Sequence, residues 1–192
     1  MFSEDRLAGY PLRQSLLAGA KGLQIFANRG VVDWMSRPDR YLVLCEGRGG
    51  RIYAADECAL EEAQQMVRDA HGAKVVMRKP EIHTYVDLDL DALVEPVMFL
   101  RIKSPHAYAK DILAELSGRE ARILEKDMQR YELIVRAEGR LANLMGLTRK
   151  IGSLACGSAA VWTWLHRYER AMAAPSPGVE TRDPTSCTNG SP

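Results

Sequence analysis

The chain has 192 residues, 46% of them hydrophobic, and its 26 Lys and Arg set against 25 Asp and Glu leave a net charge of +1. That length suits one domain or two small ones, and the apolar share is that of a folded protein. Near-neutrality excludes a global field for polyanions and leaves only local basic patches.

The opening MFSEDRLAGYPL lacks the apolar stretch of a secretory signal, and no apolar run reaches the about 18 residues of a membrane-spanning helix. The expectation is a chain of the cytoplasm, or of an organelle matrix, with no membrane partner. Cys45, Cys58, Cys156 and Cys187 show no C-x-x-C spacing. They read as free thiols in a reducing compartment, two of them on core elements. PLRQSLLAGAKGLQIFAN, residues 11–28, predicts a helix, with Pro11 in the first turn and a stripe of Leu12, Leu16, Leu23 and Phe26. RYLVLCE, 40–46, predicts a strand, and GRGGR a flexible turn after it. DECALEEAQQMVRDAHG predicts a helix capped by Asp56, lined by Leu60, Ala63, Val67 and Ala70, and stopped by Gly72. AKVVM and IHTYVDLDL predict extended segments either side of Lys79-Pro80, with Val75, Met77, Tyr85 and Leu88 facing inward.

The second half reads more cleanly. PVMFLRIK predicts a strand. Ser104-Pro105 predicts a helix cap with proline at the first position, opening a helix over 105–117 that ends at Gly118. EARILEKD and QRYELIVRAE predict a hairpin near Asp127 and Met128. RLANLMGLTRK predicts a short helix over 140–150, a small-residue loop over Gly152–Ser158 follows, and AAVWTWLHRYE predicts a last strand. The order strand, helix, strand, strand, helix, strand is the split β-α-β pattern. The expected class is α+β: two small ferredoxin-like units with antiparallel sheets, the first complete or short of an element. From residue 173 the Pro-, Ser- and Thr-rich sequence predicts a disordered tail.

Few residues suggest chemistry. His71, His83, His106 and His166 have no metal-ligand spacing. Cys156 has no base near it in sequence. Asp87, Asp89 and Asp91, if extended, put three carboxylates on one face, which reads as an acidic edge resisting strand pairing. Trp162 and Trp164 share a face; they suit either a core or a base-stacking platform. No GxxxxGK[ST] is present, so no P-loop cradles a triphosphate. No catalytic residue, metal or cofactor is expected.

LVEPVMFLRIKSPHAYAKDILAELSGREARIL resembles the start of the fifth domain of elongation factor G and related translational GTPases. Glu95-Pro96 and Ser117-Gly118-Arg119 stand at that family's landmarks. Met145-Gly146-Leu147, Ala155-Cys156-Gly157-Ser158 and His166-Arg167-Tyr168-Glu169 follow in its order, without the glutamine and arginine of its loop. CEGRGGRIYAADECALEEAQQMVRDAHGAKVVMRKPEIHTYVD resembles its third domain, with Gly47, Gly49, Lys79, Pro80 and Tyr85 near the landmarks. The resemblance implies a third-domain-like unit over 1–90, a fifth-domain-like unit over 91–172 and a tail over 173–192, with no GTPase domain and no fourth domain.

It further implies a non-enzymatic translation accessory protein that meets the large ribosomal subunit, its rRNA and stalk-base proteins. The other reading is a module that binds a translational GTPase or another protein. Guanidiniums and exposed amides on turns hold phosphates without reading bases. The expected RNA contact is therefore Arg119, Arg122, Arg149, Lys150, Gly152, Ser153, Gly157 and Ser158, with Arg48 and Arg51 as a secondary contact.

Overall fold

The computed structural model describes residues 7–18, 26, 34–46 and 49–172. In chain order the elements are β1 (Leu12–Ala18), β2 (Tyr41–Glu46), β3 (Gly49–Ala54), α1 (Glu57–His71), β4 (Val75–Met77), β5 (Glu81–Ile82), β6 (Tyr85–Asp87) and β7 (Ala92–Pro105). Then come α2 (Ala109–Gly118), β8 (Arg122–Met128), β9 (Glu132–Arg140), α3 (Leu141–Leu144), α4 (Leu147–Leu154) and β10 (Ala160–Arg170). One sheet has the order β2-β3-β1-β4 with β5 also on β1; the other has the order β10-β7-β9-β8 with β6 also on β7. All these pairings are antiparallel. Starting at β4 and at β10, both sheets place their main strands as fourth, first, third and second in chain order, which is the split β-α-β arrangement. The α+β expectation holds, and the first sheet lacks no strand of that pattern.

The first segment was not a helix. Leu12–Ala18 is a strand whose odd-even burial, with Leu12, Gln14 and Leu16 inside, has a period of two. It lies between β3 and β4, and Gly49 allows its close approach to β3. Gly49 and Gly50 are buried in β3 rather than in a turn, opposite Leu17 and Leu16. A Cβ on Gly49 would stand 2.2 Å from the Leu16 carbonyl oxygen. The backbones approach closely because no side chain separates them. Of the rest of the predicted helix Phe26 alone is described, buried in a turn beside Gly50, and the tail from residue 173 lies outside the described residues.

Several boundaries also moved. Asp56 caps α1 as expected, its Oδ1 accepting from the Ala59 amide at 2.7 Å. Ser104-Pro105 caps nothing: both end β7, and α2 starts at Ala109 after a tight turn over His106–Tyr108. Asp87 ends β6 and accepts from the amides of Asp89 and Leu90, folding 88–91 into a turn, so the three aspartates form no extended acidic edge. Leu88, expected inside, is 89% exposed at that turn. The helix over 140–150 is two helices broken at Gly146, whose φ of 76° lies in the left-handed region. Cys45 and Cys58 lie on β2 and α1, which both supply core residues, and are themselves exposed.

The core lies between each sheet and its helices. In the second unit Met98, Leu100 and Ile102 of β7 and Leu133, Val135 and Ala137 of β9 meet Ile112 and Leu116 of α2 and Leu147 and Ile151 of α4. The units touch through specific groups. Both Glu57 carboxylate oxygens, in the first turn of α1, accept from the Gly146 amide at 3.0 Å. Burial pushes the Glu57 carboxyl up despite that bond. A chain of rings runs from Tyr53 to His83 (5.3 Å), His83 to Tyr85 (6.2 Å) and Tyr85 to Tyr168 (4.8 Å), joining one sheet to the other.

Candidate functional site

The predicted basic residues do not form one group. Arg149 and Lys150 lie on the exposed face of α4. Arg149 is 83% exposed and pairs with Glu61 of α1 at 2.6 Å. Such an exposed pair contributes under about 1 kcal/mol, so an incoming phosphate would displace it easily. Lys150 lines a shallow recess of about 580 Å³ with Asp111, Glu115, Gly118 and Arg119.

Gly152 and Ser153 are not in a loop; they belong to the last turns of α4. The turn proper is shorter, with Cys156 and Gly157 at φ 49° and 78°. The Gly157 amide donates to the Gly152 carbonyl at 2.8 Å, closing the helix end, and the Ser158 hydroxyl donates to the Ala155 carbonyl at 2.5 Å. Cys156, Gly157 and Ser158 are all exposed.

Arg119 holds structure. Its Nε donates to Glu115 at 2.6 Å, and its Nη1 donates to the carbonyls of Asn143 and Met145 at 2.9 and 2.8 Å. It ties the end of α2 to the break between α3 and α4. Arg51 is likewise engaged, 2.8 Å from Glu46 and 3.4 Å from the Tyr53 hydroxyl on the first sheet. Arg48 lies outside the described residues.

Arg122 belongs elsewhere, in a cluster that sequence reasoning missed. Glu138 of β9 is only 5% exposed. It accepts from Arg122 Nε at 2.9 Å and also from Arg122 Nη2, and from Arg167 Nη1 and Nη2 at 2.8 and 3.0 Å. His166 Nε2 stands 3.8 Å from the same carboxylate. The hydrogen bonds from Arg167, followed by those from Arg122, hold the Glu138 carboxyl down at about 2 against burial, which acts the other way. The buried anion stays ionised, and the cations above it face solvent, with Arg122 68% exposed. The sequence carried half of this: alternation through Leu133, Val135 and Ala137 sends Glu138 to the far face. It did not carry the pairing that sets Glu138 opposite Arg122, nor the approach of Arg167 from β10 across β7.

That far face also holds the two tryptophans. Trp162 and Trp164 are 46% and 45% exposed, so neither packs a core. Trp164 stacks on Phe99 at 4.7 Å and 24°, and the Arg101 guanidinium lies 5.6 Å from the Trp162 ring centre. At the edge of β10 a cavity of about 590 Å³ is bounded by Trp162, Trp164, Arg101, Arg149, Glu57 and Glu61. Among the described residues no group of His, Cys, Asp and Glu could hold a metal. No described helix is long and apolar enough to cross a membrane.

Residues 92–177 match the family described as Elongation factor G C-terminus. The crystal structure of ttk003000868 from Thermus thermophilus shares the fold, with a TM-score of 0.56 at 12% identity, over 84% of this chain and 41% of that one. This chain thus spans about two fifths of the length of that protein. At that identity the likeness is one of fold.

Proposed function

We infer, from the elongation factor G C-terminal domain carried in residues 92–177, that this chain is a non-enzymatic translation accessory protein that docks on RNA of the large ribosomal subunit. The observation supporting this most is that match, on a unit whose strands take the order of the split β-α-β fold. The contact we assign is the exposed end of α4 and its turn: Arg149, Lys150, Ser153, Gly157 and Ser158. Arg149 and Lys150 supply charge for phosphate, and the small residues after them let the partner's backbone approach. Arg119 supports this rim from within, through the carbonyls it holds, and Gly152 gives α4 a smooth outer surface where a side chain would meet open space.

Sedimentation with purified large subunits tests the reading. Binding should weaken as salt rises, because phosphate contacts release counterions. Arg149→Ala with Lys150→Ala should weaken binding by about tenfold and lower the salt slope by about one per lost phosphate contact. Unchanged affinity with an intact circular dichroism spectrum would sink the assignment of this rim. A second reading, a protein partner such as a translational GTPase, is favoured by the edge strand β8, all of whose residues are exposed, Ile123, Leu124 and Met128 among them. Association that needs a protein partner and ignores salt would promote it.

A further inference from the structure

The sheet face away from α2 and α4 is built for contact. Met98, Leu100 and Ile102 point into the core, so Phe99 and Arg101 stand on the other side of β7. The register sets Trp162 opposite Arg101 and Trp164 opposite Phe99 on one flank, with Arg136 and Glu138 opposite the same two residues on the other. A row of rings and guanidiniums therefore crosses β10, β7 and β9. Nearly half of each tryptophan is exposed, a costly arrangement for the largest apolar side chain when nothing covers it. The rings are also held in place: Phe99 backs Trp164 and Arg101 backs Trp162.

The charge pattern names the occupant. Glu138 is buried beneath Arg122 and Arg167, so this anion is withdrawn, while Arg167 also pairs with Glu169 and Arg136 with Glu125. Arg101 has no carboxylate partner among the described residues. The beds on offer around the tryptophans are aromatic and cationic rather than aliphatic, which suits bases and phosphates better than the apolar centre of a protein interface. Beside β10 the row opens into the cavity of about 590 Å³, within the size range of small-ligand pockets. Its acidic wall is already engaged, Asp56 with the Ala59 amide, Glu57 with the Gly146 amide and Glu61 with Arg149.

We propose that this face is a stacking platform for single-stranded RNA, with Trp162 and Trp164 as the base beds and Arg101 as the phosphate contact. The choice of RNA rests on the translational reading above; the stacking argument does not. The platform lies on the sheet face away from α4, and it meets the α4 rim at Arg149 on the cavity wall.

Fluorescence anisotropy of the full chain with a labelled ten-nucleotide oligouridine tests it. The expected result is saturable micromolar binding, with a duplex of equal length bound at least tenfold more weakly. Trp162→Leu with Trp164→Leu should weaken binding by tenfold or more, in line with the loss of base stacking. Replacing both tryptophans by Phe should keep affinity within about threefold, since a ring remains to stack on. Arg101→Ala should lower the salt slope by about one. The paired Trp→Leu change should weaken oligouridine binding more than Lys150→Ala does, and Lys150→Ala should weaken attachment to large subunits the more, so failure of the platform and failure of the rim are told apart. Absence of binding at millimolar strand, equal binding of duplex, tighter binding of a ten-nucleotide oligodeoxythymidine, or an unchanged affinity in the Leu or Arg101 variants would each overturn the proposal.

Discussion

Replacing Glu138 by Gln removes one buried charge and little volume. The carboxyl sits at about 2 rather than 4.5 in the folded chain because two guanidiniums donate to it. At about 1.4 kcal/mol per pKa unit that difference corresponds to about 3 kcal/mol. Arg122 is 68% exposed, so solvent screens part of it, and about 2 kcal/mol is the expected share. The folded carboxyl is depressed, so its contribution is present above about pH 4.5 and is lost as pH falls towards about 2. Urea unfolding, followed by tryptophan fluorescence at several pH values, reads this out. Trp162 and Trp164 lie on the same face as Glu138 and report on its unit. Other carboxylates also protonate in acid, so the informative quantity is the difference between the native chain and Glu138→Gln. It should be about 2 kcal/mol at neutral pH and shrink towards zero as pH falls to about 2. A difference under about 0.5 kcal/mol at neutral pH, or one that persists undiminished in acid, would refute the account of the cluster.

Gly49→Ala should destabilise the first unit by about 2–4 kcal/mol in the same urea assay, because its Cβ would collide with the Leu16 backbone. Gly152→Ala should instead be neutral or stabilising by up to about 1 kcal/mol, since its Cβ meets open space on a helix. Glu57→Ala leaves the Gly146 amide without its partner and should cost about 1–2 kcal/mol, seen as a thermal midpoint lowered by several degrees without change in the circular dichroism spectrum. GTP should give no heat of binding in calorimetry, because the sequence has no P-loop to cradle its phosphates and place magnesium; stoichiometric micromolar binding would contradict this.

The sequence by itself determined the second unit almost whole. Alternating apolar residues in PVMFLRIK, QRYELIVRAE and AAVWTWLHRYE, with a helical stripe of Ile112 and Leu116 between glycine and loop signals, each preferred one local structure, and local periodicity was enough. It also set the cap at Asp56 and the stop at Gly72, which are bonds within a few residues. The first strand shows where that reasoning fails. Leu12 and Leu16 are four apart, a spacing that fits a helix face and a strand face equally. What decided between them lies more than thirty residues away, where the missing Cβ of Gly49 lets the Leu16 backbone approach and Gly50 leaves room for the Phe26 ring. The same limit applies to function. Arg149, Lys150 and the small residues after them are neighbours in sequence, and the structure places them on α4 and the turn that follows it. The exposure of Trp162 and Trp164 and the cluster of Arg122 and Arg167 around Glu138 come from strand register, and the inward commitment of Arg119 comes from the packing of α2 beside the break between α3 and α4. Register joins residues from distant parts of the chain, and only the tertiary structure sets which of them face water together.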